Sequence, residues 1–116
     1  MIAYILAACS TCQRILKEVD WNGEIYDIKQ NGVPASLLDK LLESQGSHEA
    51  SFSRRAMKYK SMGLKEKQLT DEDYRKLILE EYTFLKRPVF VVKDQVFVGN
   101  SKKVVASLKS YLEDNA

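Results

Sequence analysis

The apolar positions change period several times along the chain, and each change marks an element. Ile2-Ala3-Tyr4-Ile5-Leu6 is an unbroken apolar run that suits a central strand buried on both faces, so residues 1–6 are expected to form one. Ile15, Leu16 and Val19 then fall on one side of a helix expected over 10–20. Asn22-Gly23 makes a break, and Glu24-Ile25-Tyr26-Asp27-Ile28 alternates as a second strand. Asn31-Gly32 is another turn. Pro34 suits a first helical position, and Leu37, Leu38, Leu41 and Leu42 give the following helix its apolar stripe.

The stretch from Gln45 to Ser53 is polar, rich in Ser and Gly, and reads as a loop. A short basic helix is expected from about Ser53 to Met62, stopped by Gly63. Thr70 caps a further helix whose first turn, Asp71-Glu72-Asp73, is acidic as the helix dipole favours. Tyr74, Leu77, Ile78 and Leu85 mark its inner face. Arg87-Pro88 opens a hairpin: Val89-Phe90-Val91-Val92, the turn Lys93-Asp94, then Gln95-Val96-Phe97-Val98. After Gly99-Asn100, a last helix from about Ser101 to Glu113 carries Val104, Val105, Leu108, Tyr111 and Leu112 at helical spacing. No internal repeat, low-complexity tract or linker appears. The order is β-α-β, a helical middle, then β-β-α. The opening unit implies two parallel strands with a helical crossover, and the hairpin adds antiparallel ones. The expected class is α/β: a mixed four-stranded sheet flanked by helices, in the thioredoxin-like arrangement. It forms a single domain over 1–116 with an all-helical insertion from about 34 to 86.

Composition narrows the function without naming it. A chain of 116 residues is long enough for one core, and its apolar (45%) and charged (29%) fractions are ordinary for a globular protein. A net charge of +2 is too small to argue for nucleic acid, and no direct nucleic-acid contact is expected. No apolar stretch approaches the roughly 18 residues of a membrane-spanning helix, so no membrane role is expected. The N-terminal apolar run has no basic region before it and does not read as a signal peptide. Two closely spaced cysteines without an export signal suggest a reducing cytoplasm, where they cycle and do not staple.

Those cysteines carry the candidate chemistry. Cys9-Ser10-Thr11-Cys12 stands between the first strand and the first helix. Ser10 and Gln13 match the capping-box pattern, so Ser10 is the expected N-cap, with Cys9 just outside the helix and Cys12 in its first turn. Unpaired N–H groups and the positive dipole end favour an anion there, which lowers a thiol's pKa. Residues three apart at a helix start lie roughly 5–6 Å apart, within disulfide reach. One loop can therefore supply an attacking thiolate and a thiol that resolves the adduct. Two other readings stand beside this one. The cysteines can be small buried hydrophobes. They can also be half of a zinc site, but with His48 the chain offers only three of the usual four ligands, and no metal is expected. The strand-before, helix-after context favours redox or nucleophilic chemistry. His48 reads as an exposed loop histidine, and Trp21 and Tyr26 as packing residues.

The combination resembles the arsenate reductase / Spx / YffB family of thioredoxin-fold proteins over nearly the whole chain. The resemblance rests on the early Cys-x-x-Cys; on Ser53-Arg54-Arg55 with Tyr59 and Met62-Gly63-Leu64; and on Arg87-Pro88 followed by Val89-Phe90-Val91-Val92 and Val96-Phe97-Val98-Gly99. It implies that Cys9 is the nucleophile. It matches Cys12 to the second cysteine of the Spx-type pair, where glutaredoxin-linked arsenate reductases have Ser. Arg55 matches the arginine of the insertion, with Arg54 the adjacent choice. Arg87 matches the arginine before proline, and Pro88 the structural cis-proline. Guanidinium forks suit an oxyanion being attacked; the lesser alternative is that Arg54, Arg55, Lys58 and Lys60 are a solvated face and Arg87 a strand-edge cation.

Two positions depart from the pattern. Gly99-Asn100-Ser101-Lys102-Lys103 lacks the further arginine of the arsenate reductases, and Gln13 stands where Arg or Lys is frequent. Both speak against an arsenate-specific enzyme, and the Cys9/Cys12 pair fits a redox switch or thiol oxidoreductase better. The implied activity is thiol-dependent reduction of a small oxyanion or a thiol substrate's disulfide. No bound cofactor is implied; glutathione, thioredoxin or glutaredoxin is the electron donor. The alternative is an Spx-like redox-sensing regulator that binds RNA polymerase, with the basic segment Arg54 to Lys67 as docking face. A redox-inactive thioredoxin-fold domain is the third reading.

Overall fold

The structure, a computed structural model, describes residues 1–115. Strand β1 (Ile2–Ile5) leads through a short loop to helix α1 (Ser10–Glu18), then to β2 (Glu24–Asp27) and the single-turn α2 (Ile28–Asn31). Helices α3 (Ala35–Gln45), α4 (Met57–Ser61) and α5 (Asp71–Glu80) follow, with 3₁₀ turns at Glu49–Ser51, Leu64–Glu66 and Tyr82–Phe84. Strands β3 (Val89–Val92) and β4 (Gln95–Val98) and helix α6 (Lys102–Asp114) close the chain.

The chain divides into two compact units, one made of Met1–Gln30 with the stretch from Arg87 onward, the other of Asn31–Lys86. The first holds the mixed four-stranded sheet, in the order β2-β1-β3-β4. β1 runs parallel to β2 (Ala3 opposite Ile25) and antiparallel to β3 (Ala3 opposite Phe90), and β4 returns antiparallel (Phe97 opposite Phe90). The unbroken apolar runs occupy the two central strands, and all four residues of β3 are buried. Ala3, Ile5, Phe90 and Val92 pack with Ile15, Leu16 and Val19 of the α1 region and Val105 and Leu108 of α6. Each large side chain so buried contributes roughly 1.5–3 kcal/mol. Trp21 packs on Phe90 (ring centroids 5.0 Å apart) while its Nε1–H donates to the Glu24 carbonyl at 3.1 Å. Gly23 is required beside it, because a Cβ there would meet Met1 Cβ and Trp21 Cζ2 at 2.8 Å.

The second unit is built on aromatic rings. Phe52 stacks on Phe84 (4.9 Å) and takes the edges of Tyr74 (4.9 Å) and Tyr59 (6.1 Å). A short antiparallel bridge, Phe52 to Leu85, closes it, with Ser53 N–H donating to Phe84 O (2.7 Å) and Lys86 N–H to Ser51 O (2.9 Å). Thr70 and Asp73 form a complete capping box at the start of α5.

Several boundaries differ from the pattern. The helix expected from 53 to 62 is only Met57–Ser61, since Phe52 is extended in its bridge to Leu85 and Ala56 (ψ 137°) is extended at the N-cap. Ile28 leaves the second strand, because Asp27 accepts the Lys29 N–H (3.0 Å) and turns the chain. Pro34 is extended (ψ 138°) and stands at the N-cap of α3, one place before the first helical position. Leu42 is exposed, so the buried stripe of α3 is Leu37, Leu38 and Leu41. His48 is 4% exposed and not a solvated loop residue; its N–H donates to both Asp71 carboxylate oxygens at 3.0 Å, which pins the loop inward. Among the described residues no helix is long and apolar enough to cross a membrane.

Candidate thiol site

The site begins where β1 ends. The Cys9 N–H donates to Leu6 O at 3.0 Å, turning the loop so that Cys9 (φ −84°, ψ 114°) takes the N-cap of α1. This corrects the expectation that Ser10 would cap. The Cys9 carbonyl accepts the first helical bond, from Gln13 N–H at 3.1 Å, so Ser10 is already inside the helix. The sulfur does what a hydroxyl does in most helices: Cys9 Sγ accepts the Cys12 N–H at 3.4 Å. Gln13 does not complete a box with Ser10. Its Nε2–H donates to Ala7 O at 3.1 Å and braces the loop that presents Cys9.

The two thiols, both free, have opposite environments. Cys9 is half-buried, whereas Cys12 is 0% exposed within the core cluster of the first unit. Burial pushes the Cys9 thiol up. The Cys12 N–H, the Cys12 side chain, the Thr11 N–H and the Arg87 charge outweigh it, and Cys9 lies below its ordinary value. Burial pushes Cys12 up to about 11; a Leu6 backbone bond opposes this, Cys9 adds to it, and the Arg87 charge opposes it. The anion is therefore favoured at Cys9 and disfavoured at Cys12. Arg87 precedes Pro88 through a cis peptide bond, and the Pro88 carbonyl accepts Gly99 N–H at 2.9 Å. The first unit thus gathers Cys9, Cys12, Arg87 and Pro88.

The model of the ArsC family matches residues 4–108. The chain belongs to the ArsC family. Among solved structures it is similar to a protein from Streptococcus mutans UA159 described as a possible arsenate reductase, with 29% identity and a TM-score of 0.69 over 87% of this chain and 90% of that one. An arsenate reductase from Vibrio cholerae is 19% identical with a TM-score of 0.78, over 92% and 95% of the two chains. A YFFB protein is 20% identical with a TM-score of 0.77, over 92% and 96%. No curated protein matches the chain.

In this ArsC-family chain the remaining candidates belong to other elements. Arg55 belongs to the second unit and is exposed in the turn before α4. Its neighbour Arg54 is occupied: Nη2–H donates to Glu49 Oε2 (2.6 Å) and Tyr74 OH (3.1 Å), and the guanidinium lies over the Tyr74 ring at 5.7 Å. That separates the two arginines in a way the sequence does not. Lys102 and Lys103 open α6 and are exposed, with Ser101 Oγ accepting the Val104 N–H (3.2 Å). Two contributors went unread in the sequence. The Thr11 N–H leaves no side-chain signature, and the Gln13–Ala7 brace depends on the path of a loop. Among the described residues no group of His, Cys, Asp and Glu that could hold a metal ion occurs.

Proposed function

We propose that this chain is a thiol-dependent reductase in which Cys9 attacks a small oxyanion or a disulfide. One observation carries the reading: the Cys9 sulfur is itself the cap of α1, facing N–H donors and the Arg87 charge, so its thiolate is held ready. On a disulfide, Cys9 bonds to one sulfur and the other departs as a thiolate. Cys12 or an external thiol, such as glutathione, thioredoxin or glutaredoxin, then clears the adduct. Arg87 holds substrate oxygens through its forked donors, and Arg55 is a second proposed substrate-binding arginine. A reducing cytoplasm is the proposed setting, and ArsC-family membership supports partners drawn from the thiol-redox systems.

The test is turnover of arsenate and of a mixed disulfide, with glutathione or thioredoxin as donor, in the wild type and in Cys9→Ser. Cys9-dependent turnover of either substrate supports the proposal; rates at background, or rates unchanged in Cys9→Ser, reject it. A second reading, an Spx-like regulator that binds RNA polymerase, draws support from the exposed basic segment of the second unit. There Arg55, Lys60, Lys65 and Lys67 are exposed and Met57 is 89% exposed. Capture of RNA polymerase by one redox form and not the other would favour it.

A further inference from the structure

We infer that the outer edge of β4 is an interaction surface whose occupant is a second copy of this chain, paired antiparallel about a twofold axis with Val96 of one copy opposite Val98 of the other. The sheet order β2-β1-β3-β4 leaves two edges, and they are not alike. β2 carries a carboxylate at each end, Glu24 and Asp27, and charges of that kind blunt an edge. β4 reads Gln95-Val96-Phe97-Val98, with no charge, no proline and no bulge in its register with β3. Among the described residues no strand pairs with its outer side.

Which groups face outward follows from parity. In an antiparallel ladder, opposed residues alternate between pairs that exchange both backbone bonds and pairs that exchange none. The two-residue turn Lys93-Asp94 makes its flanking pair, Val92 and Gln95, a bonded one. At the other end the Gly99 N–H donates to Pro88 O at 2.9 Å, so that pair is bonded too. Both ends therefore make Phe97 and Phe90 a bonded pair and leave Val96 and Val98 at the unbonded positions. The N–H and C=O groups of Val96 and Val98 point away from β3. A second β4 laid antiparallel, with Phe97 opposite Phe97, sets Val96 opposite Val98 on both sides of the axis. Each such pair exchanges both backbone bonds, and the contact is isologous, as a twofold dimer requires.

The charges agree with this register. Gln95 falls opposite Gly99. The exposed Asp94 falls opposite Asn100, beside the first turn of α6 with its exposed Lys102 and Lys103. Lys93 is the like charge at that corner. The edge thus complements itself in hydrogen bonding and in charge, which favours a second copy over an unrelated extended peptide. A strand of four residues buries little, so the dimer is weak and forms at high concentration.

The experiment is sedimentation equilibrium of the reduced full-length chain, joined to amide exchange read by NMR at the same concentrations. Average mass should climb from one chain toward two between about 10 µM and about 1 mM. Over that range exchange at Val96 and Val98 should slow several-fold, while the Phe97 amide, bonded to β3, should be protected throughout. Val96→Pro deletes an outward N–H and spares the β3 ladder, so it should weaken association about tenfold or more. Asp94→Lys should weaken it at low salt and less so at high salt. A single-chain mass at the top of that range overturns the inference. So does association that leaves exchange at Val96 and Val98 unchanged, or that a folded Val96→Pro does not weaken. If Val96→Pro does not fold, the wild-type exchange at those two amides decides the question.

Discussion

The two compact units solve the same polar problem by different means. In the sheet-bearing unit, ladder bonds between β2, β1, β3 and β4 satisfy the backbone, and aliphatic side chains fill the space beneath. At the start of α1, the Cys9 sulfur accepts the Cys12 N–H. The unit of residues 31–86 has short helices and 3₁₀ turns, so its polar side chains do the stitching. Asp71 takes the N–H groups of His48 and Glu49, Asp73 and Thr70 exchange bonds, Arg54 joins Glu49 to Tyr74, and Lys58 pairs with Glu81. Where a sheet supplies backbone partners, fewer side chains are needed to hold the chain. Where it does not, they are occupied in holding the chain.

That contrast can be broken in order of effect. Cys9→Ser should remove turnover by about 10³-fold or more while leaving the unfolding midpoint of the chain little changed, since Ser is also a good cap. Phe52→Ala should do the reverse, costing about 3–5 kcal/mol in urea unfolding by opening the aromatic stack, with the Cys9 alkylation midpoint unmoved. Arg87→Ala should lower kcat/KM by about 10²-fold and raise the pH midpoint of Cys9 alkylation. Arg54→Ala should leave that midpoint alone. Thr70→Ala should cost about 1 kcal/mol through the lost cap of α5.

The smallest effect concerns acid. The His48 N–H holds the Asp71 carboxyl below its ordinary value, burial opposes this, and the Glu49 N–H adds to it. Its stabilising contribution is therefore present above the unfolded value, about 3.9, and is lost as pH falls through the folded-state value. Asp71→Asn should flatten the acid limb of a thermal-melt series below about pH 4. An unchanged limb would mean the bond to His48 contributes little.

Local patterns made much of this legible. The apolar runs of β1 and β3, the two-residue hairpin turn, Thr70 with its acidic first turn, and a thiol at a helix start are all written within a few residues. What failed depends on partners far along the chain. The stretch before α4 is extended through the bridge of Phe52 to Leu85, and the His48 N–H is taken by Asp71. Cys9 and Ser10 are both chemically able to cap, and the Leu6 carbonyl decides between them. Arg54 and Arg55 look alike until Glu49 and Tyr74 occupy one of them. Cys12 is buried in a cluster that includes residues of β3 and α6, far along the chain.

The sulfur proposed to react is also the atom that caps the start of a helix. Each covalent modification of Cys9 alters the lone pairs offered to the Cys12 amide, so the first turn of α1 should fray when the site is loaded and tighten when it is cleared. Amide exchange at Thr11 to Gln13 would then serve as a label-free gauge of the sulfur's chemical state. A partner protein sensing that turn could read whether the site is loaded without touching the sulfur.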